Sequence, residues 1–331
     1  RYEIMANDRI IVYSVVIPVF NSAESIVKLV NRIISTLNSY GKLFEVILVD
    51  DCSNDKSWGL IKNLAKDNKN VKSLQLMKNS GQGNATLAGL KFSSGNFVIT
   101  IDDDLQHPPE EITKFIDSIE ADEDIDVIIG NPKVKNQSSF KTFGNYFNDK
   151  LNTLFFGKPK GLRFTGFRII RRNVVNALLL CNTPYPAIGP MIVNTTSKVK
   201  NIEFKHEKRV HGKSNYNRSK LFNQFLSNFI GYSVLPLHML AIIGLIGVVI
   251  STFAGLFFLF QYIFQGISVA GWTTLLLVLL ILMGFSFLSF AILGEYLLRV
   301  SQVSTKTSRW NVRQVVNIYH NEKTNNNSSI K

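Results

Sequence analysis

The chain has 331 residues, enough for about two domains, and 46% of them are apolar. A formal net charge of +13 implies an anionic partner: nucleic acid, a membrane surface or a phosphorylated substrate. Only two cysteines occur, Cys52 and Cys181, far apart and without metal-type spacing, which implies free thiols in a reducing compartment.

Arg1 to Ile10 is polar and no small-residue cleavage site follows a leader, so no cleavable signal peptide is expected. Met5 is a candidate natural start. Ile10 to Asn21 reads as a first buried strand with Pro18 at its end, since proline cannot donate to a central ladder. Ser22 to Tyr40 is predicted to be a helix with Ile26, Leu29, Val30, Ile33, Ile34 and Leu37 on one face. Phe44 to Asp51 is a second strand that ends in carboxylates. Ser53-Asn54-Asp55 supplies turn and capping chemistry for a helix through Leu64. Val71 to Met77 is a third strand, and Asn79 to Asn84 is a glycine-bearing loop before a helix from Ala85 to Phe92.

Phe97 to Ile101 is a fourth apolar strand that runs straight into Asp102-Asp103-Asp104. No core solvates three adjacent anions, so they belong at the strand's C-terminal mouth, where open α/β sheets bind ligands. Carboxylates there offer hard oxygen ligands for Mg2+ or Mn2+, metals that usually also hold substrate phosphates. The competing reading of the same residues is a solvated acidic turn that caps a helix. A helix from Ile112 to Ile119 and a strand at Val127-Ile128-Ile129-Gly130 follow. The β-α-β-α-β-α-β order predicts a right-handed, mostly parallel, Rossmann-like sheet.

Two aromatic stripes come next. Phe140, Phe143, Phe147, Leu151, Leu154 and Phe155 form one, and Leu221, Phe222, Phe225, Leu226, Phe229 and Ile230 the other. Both have the spacing of amphipathic helices, and the second, beside a charge-free region, reads as lying in a membrane interface. No Asp, Glu, Lys or Arg occurs between Lys220 and Glu295. Val234 to Gln261 and Trp272 to Leu293 each exceed the roughly 20 apolar residues that span a bilayer. Cations flank the pair on both outer sides, and the loop from Tyr262 to Gly271 has none. The bias places both termini and the N-terminal domain in the cytoplasm. The expected domains are a catalytic domain over 1–215, an interfacial helix over 216–232, two transmembrane helices over 233–300 and a cytoplasmic tail over 301–331. The tail is read as disordered from Asn325 onward.

The chain has neither a phosphate-binding Gly-x-x-x-x-Gly-Lys-Ser/Thr loop nor a Gly-x-Gly-x-x-Gly fingerprint after its first strand. That argues against a P-loop ATPase and a dinucleotide dehydrogenase. Its five histidines show no metal-ligand spacing, and each is read as structural.

Three ordered motifs then converge: Val15 to Asn21, Val49 to Asp55, and Ile101 to Glu110. Together with Thr165-Gly166-Phe167-Arg168, Arg209 to Tyr216 and Gly294 to Arg299, they resemble family 2 glycosyltransferases of GT-A fold. The narrower resemblance is to polyprenyl-phosphate glycosyltransferases. It implies an inverting transfer from a UDP- or GDP-sugar to a polyprenyl phosphate, undecaprenyl in bacteria, at the cytoplasmic face of the plasma membrane. It assigns Asp102 and Asp104 to Mg2+ or Mn2+ and the donor diphosphate. It assigns Pro18, Phe20, Asp50, Asp51, Gln82, Gly83 and Asp103 to the donor pocket. Arg168, Arg209, Lys213 and Ser214 would receive phosphates, with Arg168 and Arg209 acting in catalysis. The expected partners are the donor, the lipid, the membrane and further copies of the chain, and no nucleic acid. Two departures stand out. The family's usual Glu after Asn21 is Ser22 here, and an Asp common in dolichyl-type members is Thr165. The rival readings are an inactive homologue serving as a membrane scaffold and a processive polysaccharide synthase. The latter lacks its Gln-x-x-Arg-Trp element at Ser308-Arg309-Trp310.

Overall fold

The computed structural model describes residues 11–133, 159, 161–181, 183, 186–205, 310–318 and scattered positions between 242 and 300. The chain divides into two compact units. Arg1–Thr153, Gly157–Asn215 and Ser308–Lys331 form the first; Leu154–Phe156 and Tyr216–Thr307 form the second.

The first unit opens with β1 (Tyr13–Val19), α1 (Ile26–Tyr40), β2 (Phe44–Asp50), α2 (Ser57–Asp67), β3 (Val71–Leu76), α3 (Gln82–Phe92) and β4 (Phe97–Thr100). β1 and β2 are buried along their whole length, as expected of central parallel strands covered on both faces. α1 turns Ile26, Leu29, Val30, Ile33 and Leu37 into the core. Each such side chain, fully buried, contributes roughly 1.5–3 kcal/mol. Past β4 the expected helix from Ile112 and strand from Val127 are present, and they are followed by further elements that the apolar pattern did not reveal. A 3-10 turn (Pro109–Glu111) leads into α4 (Ile112–Glu120), β5 (Val127–Lys133), β6 (Arg168–Arg171), α5 (Arg172–Leu180), α6 (Ile188–Thr195), β7 (Val199–Lys205) and β8 (Val312–Val316).

The eight strands form one sheet in the order β7-β5-β6-β4-β1-β2-β3-β8. β6 is antiparallel to both β4 and β5, and β8 is antiparallel to β3; the other pairings are parallel. The sheet is therefore mixed and mainly parallel, as the GT-A expectation has it. β8 lies within the stretch read as a tail, which thus contributes an edge strand to the sheet. Pro18 sits inside β1, opposite Val49. Val16 faces β4, whose register with β1 ends at Val16 and Thr100. Pro18 faces the same side one step beyond that end, so no ladder bond is lost at its missing N–H.

In the second unit, every described position from Ile242 to Phe264 and from Leu275 to Val300 is helical. Large apolar side chains there are exposed, among them Phe253 at 71% and Phe264 at 69%. Among the described residues no helix is long and apolar enough to cross a membrane. Both aromatic stripes, and most of the two expected spans, lie outside the described residues.

Candidate active site

Parallel β1, β2 and β4 end at one edge of the sheet. Just beyond each end, a residue other than glycine takes a left-handed backbone: Asn21 (φ 53), Cys52 (φ 60) and Leu105 (φ 61). That conformation costs about 1–2 kcal/mol for most side chains, and such strain clusters at functional sites. Asn21 is the easiest of the three to accommodate, and its Oδ1 accepts the Asn54 N–H at 2.9 Å. Leu105 is held there by burial, at 1% exposure. The sharp turn after β4 leaves Asp102 to Asp104 at the mouth.

Asp50 ends β2 and Asp51 follows it, and both are buried. Asp50 accepts the Gln75 amide at 3.2 Å and the Ser53 N–H at 3.3 Å. Asp51 accepts the N–H groups of Ser80 (2.7 Å) and Gly81 (2.9 Å) through its two oxygens. Burial raises the Asp51 carboxyl above the usual carboxylate range; the two N–H groups oppose this and the Asp50 charge adds to it. Asp51 thus shapes the loop that opens α3.

Asp102 accepts the side-chain amide of Gln82 at 2.7 Å, so two residues expected at the donor meet here. A Cβ at Gly166 would come within 2.3 Å of Asp102 Oδ1, so only glycine leaves room for this carboxylate. Arg168 lies close enough for its charge to interact with Asp102, and its Nε donates to Thr165 O at 2.5 Å. Burial pulls the Arg168 guanidinium down to about 10 against the pull of Asp102, which leaves it cationic at neutral pH. Asp104 Oδ1 accepts the Gln106 N–H at 3.1 Å. Asp103 Oδ2 accepts the Phe20 N–H (3.0 Å) and the Ser22 hydroxyl. Burial pushes its carboxyl up to about 6; those two donors oppose the rise, and the Asp102 and Asp104 charges add to it.

Gly83 packs against the Pro186 carbonyl, 2.0 Å from where a Cβ would stand, so its glycine serves a close backbone approach. Arg209, Lys213 and Ser214 lie outside the described residues. One feature escaped sequence reasoning. His107 is buried beside Phe167 and Phe204, with Nδ1 3.7 Å from Asp102 Oδ2. Its position three residues after Asp104 was the available signal. Thr165, where a carboxylate is common in dolichyl-type members, donates its hydroxyl to Gly130 O at 2.8 Å.

Among the described residues no group of three or more His, Cys, Asp or Glu is arranged to hold a metal. Asp102 and Asp104 nevertheless suit Mg2+ or Mn2+, which take one or two carboxylates and complete their shell with phosphate and water.

A mainly parallel sheet with acidic residues beyond β2 and β4 is a GT-A-like glycosyltransferase arrangement. The family model described as "Glycosyl transferase family 2" matches residues 14–179. The chain belongs to that family and is a glycosyltransferase. It is 32% identical over 309 residues to the undecaprenyl-phosphate 4-deoxy-4-formamido-L-arabinose transferase of Proteus mirabilis, covering 92% of this chain and 94% of the relative. The Photorhabdus laumondii protein of the same name is 32% identical over 329 residues, with 98% and 99% covered. Among solved structures, the fold is similar to glucosyl-3-phosphoglycerate synthase from Mycobacterium tuberculosis (TM-score 0.51, 17% identity, 67% of this chain and 80% of that one). Mannosyl-3-phosphoglycerate synthase from Rubrobacter xylanophilus gives TM-score 0.51 at 15% identity, with 66% and 73% covered.

Proposed function

We propose that the chain transfers a sugar from a nucleotide-sugar donor to a polyprenyl phosphate at the cytoplasmic face of a bacterial plasma membrane. The observation that carries this reading is the mouth of β4. Asp102 and Asp104 stand there together, with the cationic Arg168 in range of Asp102. The near full-length relatives bear the name of an undecaprenyl-phosphate sugar transferase, which supports the acceptor.

Asp102 and Asp104 would hold Mg2+ or Mn2+, which supplies positive charge to the donor diphosphate. Release of Gln82 from Asp102 would free the Oδ1 lone pair for that role. The buried Asp50 and Asp51 would act through the loops they organise, beside a donor pocket that includes Pro18, Phe20 and Gly83. Arg168, with Arg209, Lys213 and Ser214, would draw the acceptor phosphate in and stabilise charge on the leaving group. In the single displacement a phosphate oxygen of the lipid forms a bond to the anomeric carbon. The bond from that carbon to the diphosphate oxygen breaks, and the centre inverts. The Thr165 hydroxyl is directed at Gly130 O and supplies no base. None is required, because a phosphate monoester with second pKa near 6 is already mostly dianionic at neutral pH.

The charge-free stretch between Lys220 and Glu295 would form the membrane hairpin. Its exposed Phe253 and Phe264 support a lipid-facing surface. Asp102→Asn and Asp104→Asn should each remove most transfer activity, by about a hundredfold or more for a lost charge-stabilising group, while the fold persists. Full turnover by both variants, or undiminished turnover in excess EDTA, would overturn this reading.

A further inference from the structure

The loops at the mouth are joined in a ring. The 20–25 loop is tied to the loop after β2: Asn21 N–H donates to Ser53 Oγ (3.0 Å), Ser22 N–H to Ser57 Oγ (2.8 Å) and Ala23 N–H to Asp55 Oδ2 (3.1 Å). Asp51 carries the ring on to Ser80 and Gly81, and Gln82 passes it to Asp102. The remaining join, from the β4 loop back to the 20–25 loop, is made by Asp103.

We propose, resting on the reading of Asp102 and Asp104 as the metal and diphosphate carboxylates, that Asp103 is a positioning residue. Its clasp on the 20–25 loop sets the direction of its two neighbours. Three contacts make the clasp. Asp103 Oδ2 accepts from the Phe20 N–H and the Ser22 hydroxyl, and Ser25 Oγ donates to the Asp103 carbonyl at 2.7 Å. Side chain and backbone of one residue are thus gripped by one loop. A residue gripped at both ends cannot rotate, so the side chains on either side of it keep fixed directions. Asp102 meets Gln82 and the Gly166 backbone, while Asp103 points at Phe20. Ser22, where the resemblance leads one to expect Glu, serves here as hydroxyl partner to the middle carboxylate of the triplet.

The test uses the full chain in detergent micelles, with Mn2+ and UDP as the probe and Mn2+ binding read by electron paramagnetic resonance. Asp103→Ala should weaken Mn2+ binding in the presence of UDP by about tenfold or more, and Ser22→Ala by about threefold, as expected for hydrogen bonds to a charged acceptor. The double variant should bind no more weakly than Asp103→Ala alone. Asp103→Asn keeps an acceptor oxygen for both donors and should regain most of the lost binding. If Asp103→Asn is as weak as Asp103→Ala, the residue acts by its charge and the proposal fails. Additive losses, or a folded Asp103→Ala chain with wild-type binding, overturn it as well. Where Asp103→Ala does not fold, Ser22→Ala decides, and unchanged affinity in that variant sinks the proposal. A wild-type chain that does not bind Mn2+ with UDP overturns the reading of the site and this proposal together; wild-type binding confines any failure to the proposal.

Discussion

Gly166 is the residue at which fold and chemistry press hardest on each other. Its carbonyl accepts the Thr100 hydroxyl at 2.6 Å, which ties it to β4, and its bare Cα faces the Asp102 carboxylate. Gly166→Ala should therefore displace that carboxylate and cut turnover by about tenfold or more, equivalent to about 1.4 kcal/mol of barrier. Its melting temperature should stay close to wild type, since the intruding methyl meets a side chain at the solvated mouth. Steady-state kinetics beside a thermal melt checks both halves. Glu45 sets the opposite case, a carboxylate that serves only the fold. It is buried near the start of β2, where it pairs with Lys72 and accepts from Ser14 Oγ (2.6 Å) and the Ser94 N–H (2.7 Å). Burial raises its carboxyl, but the Lys72, Ser14 and Ser94 hydrogen bonds outweigh that and hold it below the usual value. A carboxyl lowered in the folded state adds stability above its unfolded pKa, and that share fades as pH falls through the folded value. Lys72→Met should thus destabilise the chain by about 3 kcal/mol at pH 7, with the gap to wild type narrowing as the carboxyl protonates at acid pH. Denaturant unfolding at several pH values measures it.

At the scale of elements, β8 shows what local pattern could not supply. Val312–Val316 is five residues long, carries Arg313 and Gln314 in its middle, and pairs with a strand some 240 positions earlier (Val316 opposite Ser73). Asn317, itself left-handed at φ 59, donates its side-chain amide to Val71 O at 2.7 Å and Lys69 O at 3.0 Å. β8 covers the edge of β3, and uncovered edges invite pairing with other chains. Removing residues 310–331 should lower the melting temperature by several degrees and promote self-association, seen as earlier elution in size-exclusion chromatography. β1 to β4 were legible because they are apolar runs bounded by turn chemistry, and Asp102 was legible because three carboxylates cannot be buried after such a run. β6 was not, because Arg168 and Arg171 frame only two apolar residues. Burial of a strand so short depends on its two neighbours in the sheet. The contacts of the aspartates were equally hidden: the sequence sets Asp103 apart for the donor pocket, and only the fold shows its carboxylate held by Phe20 and Ser22 of the 20–25 loop.

At the scale of the molecule, the charge distribution divides the chain as sharply as its contacts do. The cation-free run contains Tyr262 to Gly271, while Arg209 to Lys220 and Arg299 to Arg313 flank it. For a hairpin with both ends in the cytoplasm, cysteine labelling in intact cells should reach Tyr262 to Gly271 from outside and a probe at Ser304 only from inside. Labelling of the two flanks from opposite sides would rule the hairpin out. Arg209, if it receives the acceptor phosphate and does not simply touch anionic lipid, should be needed even in neutral detergent, where no anionic surface exists. Arg209→Ala with normal detergent turnover at saturating donor and acceptor would return it to lipid contact. The central claim is sugar transfer to a polyprenyl phosphate. The measurement that reaches it most directly is the transfer of radiolabelled sugar into the organic phase by the purified chain. The assay supplies undecaprenyl phosphate, Mn2+ and a panel of nucleotide sugars that includes the 4-deoxy-4-formamido-L-arabinose carried in the relatives' name. The expected result is a lipid-linked product from at least one donor, dependent on the acceptor and absent with Asp102→Asn. Lipid-linked product from no donor, or equal product with Asp102→Asn, would contradict the account.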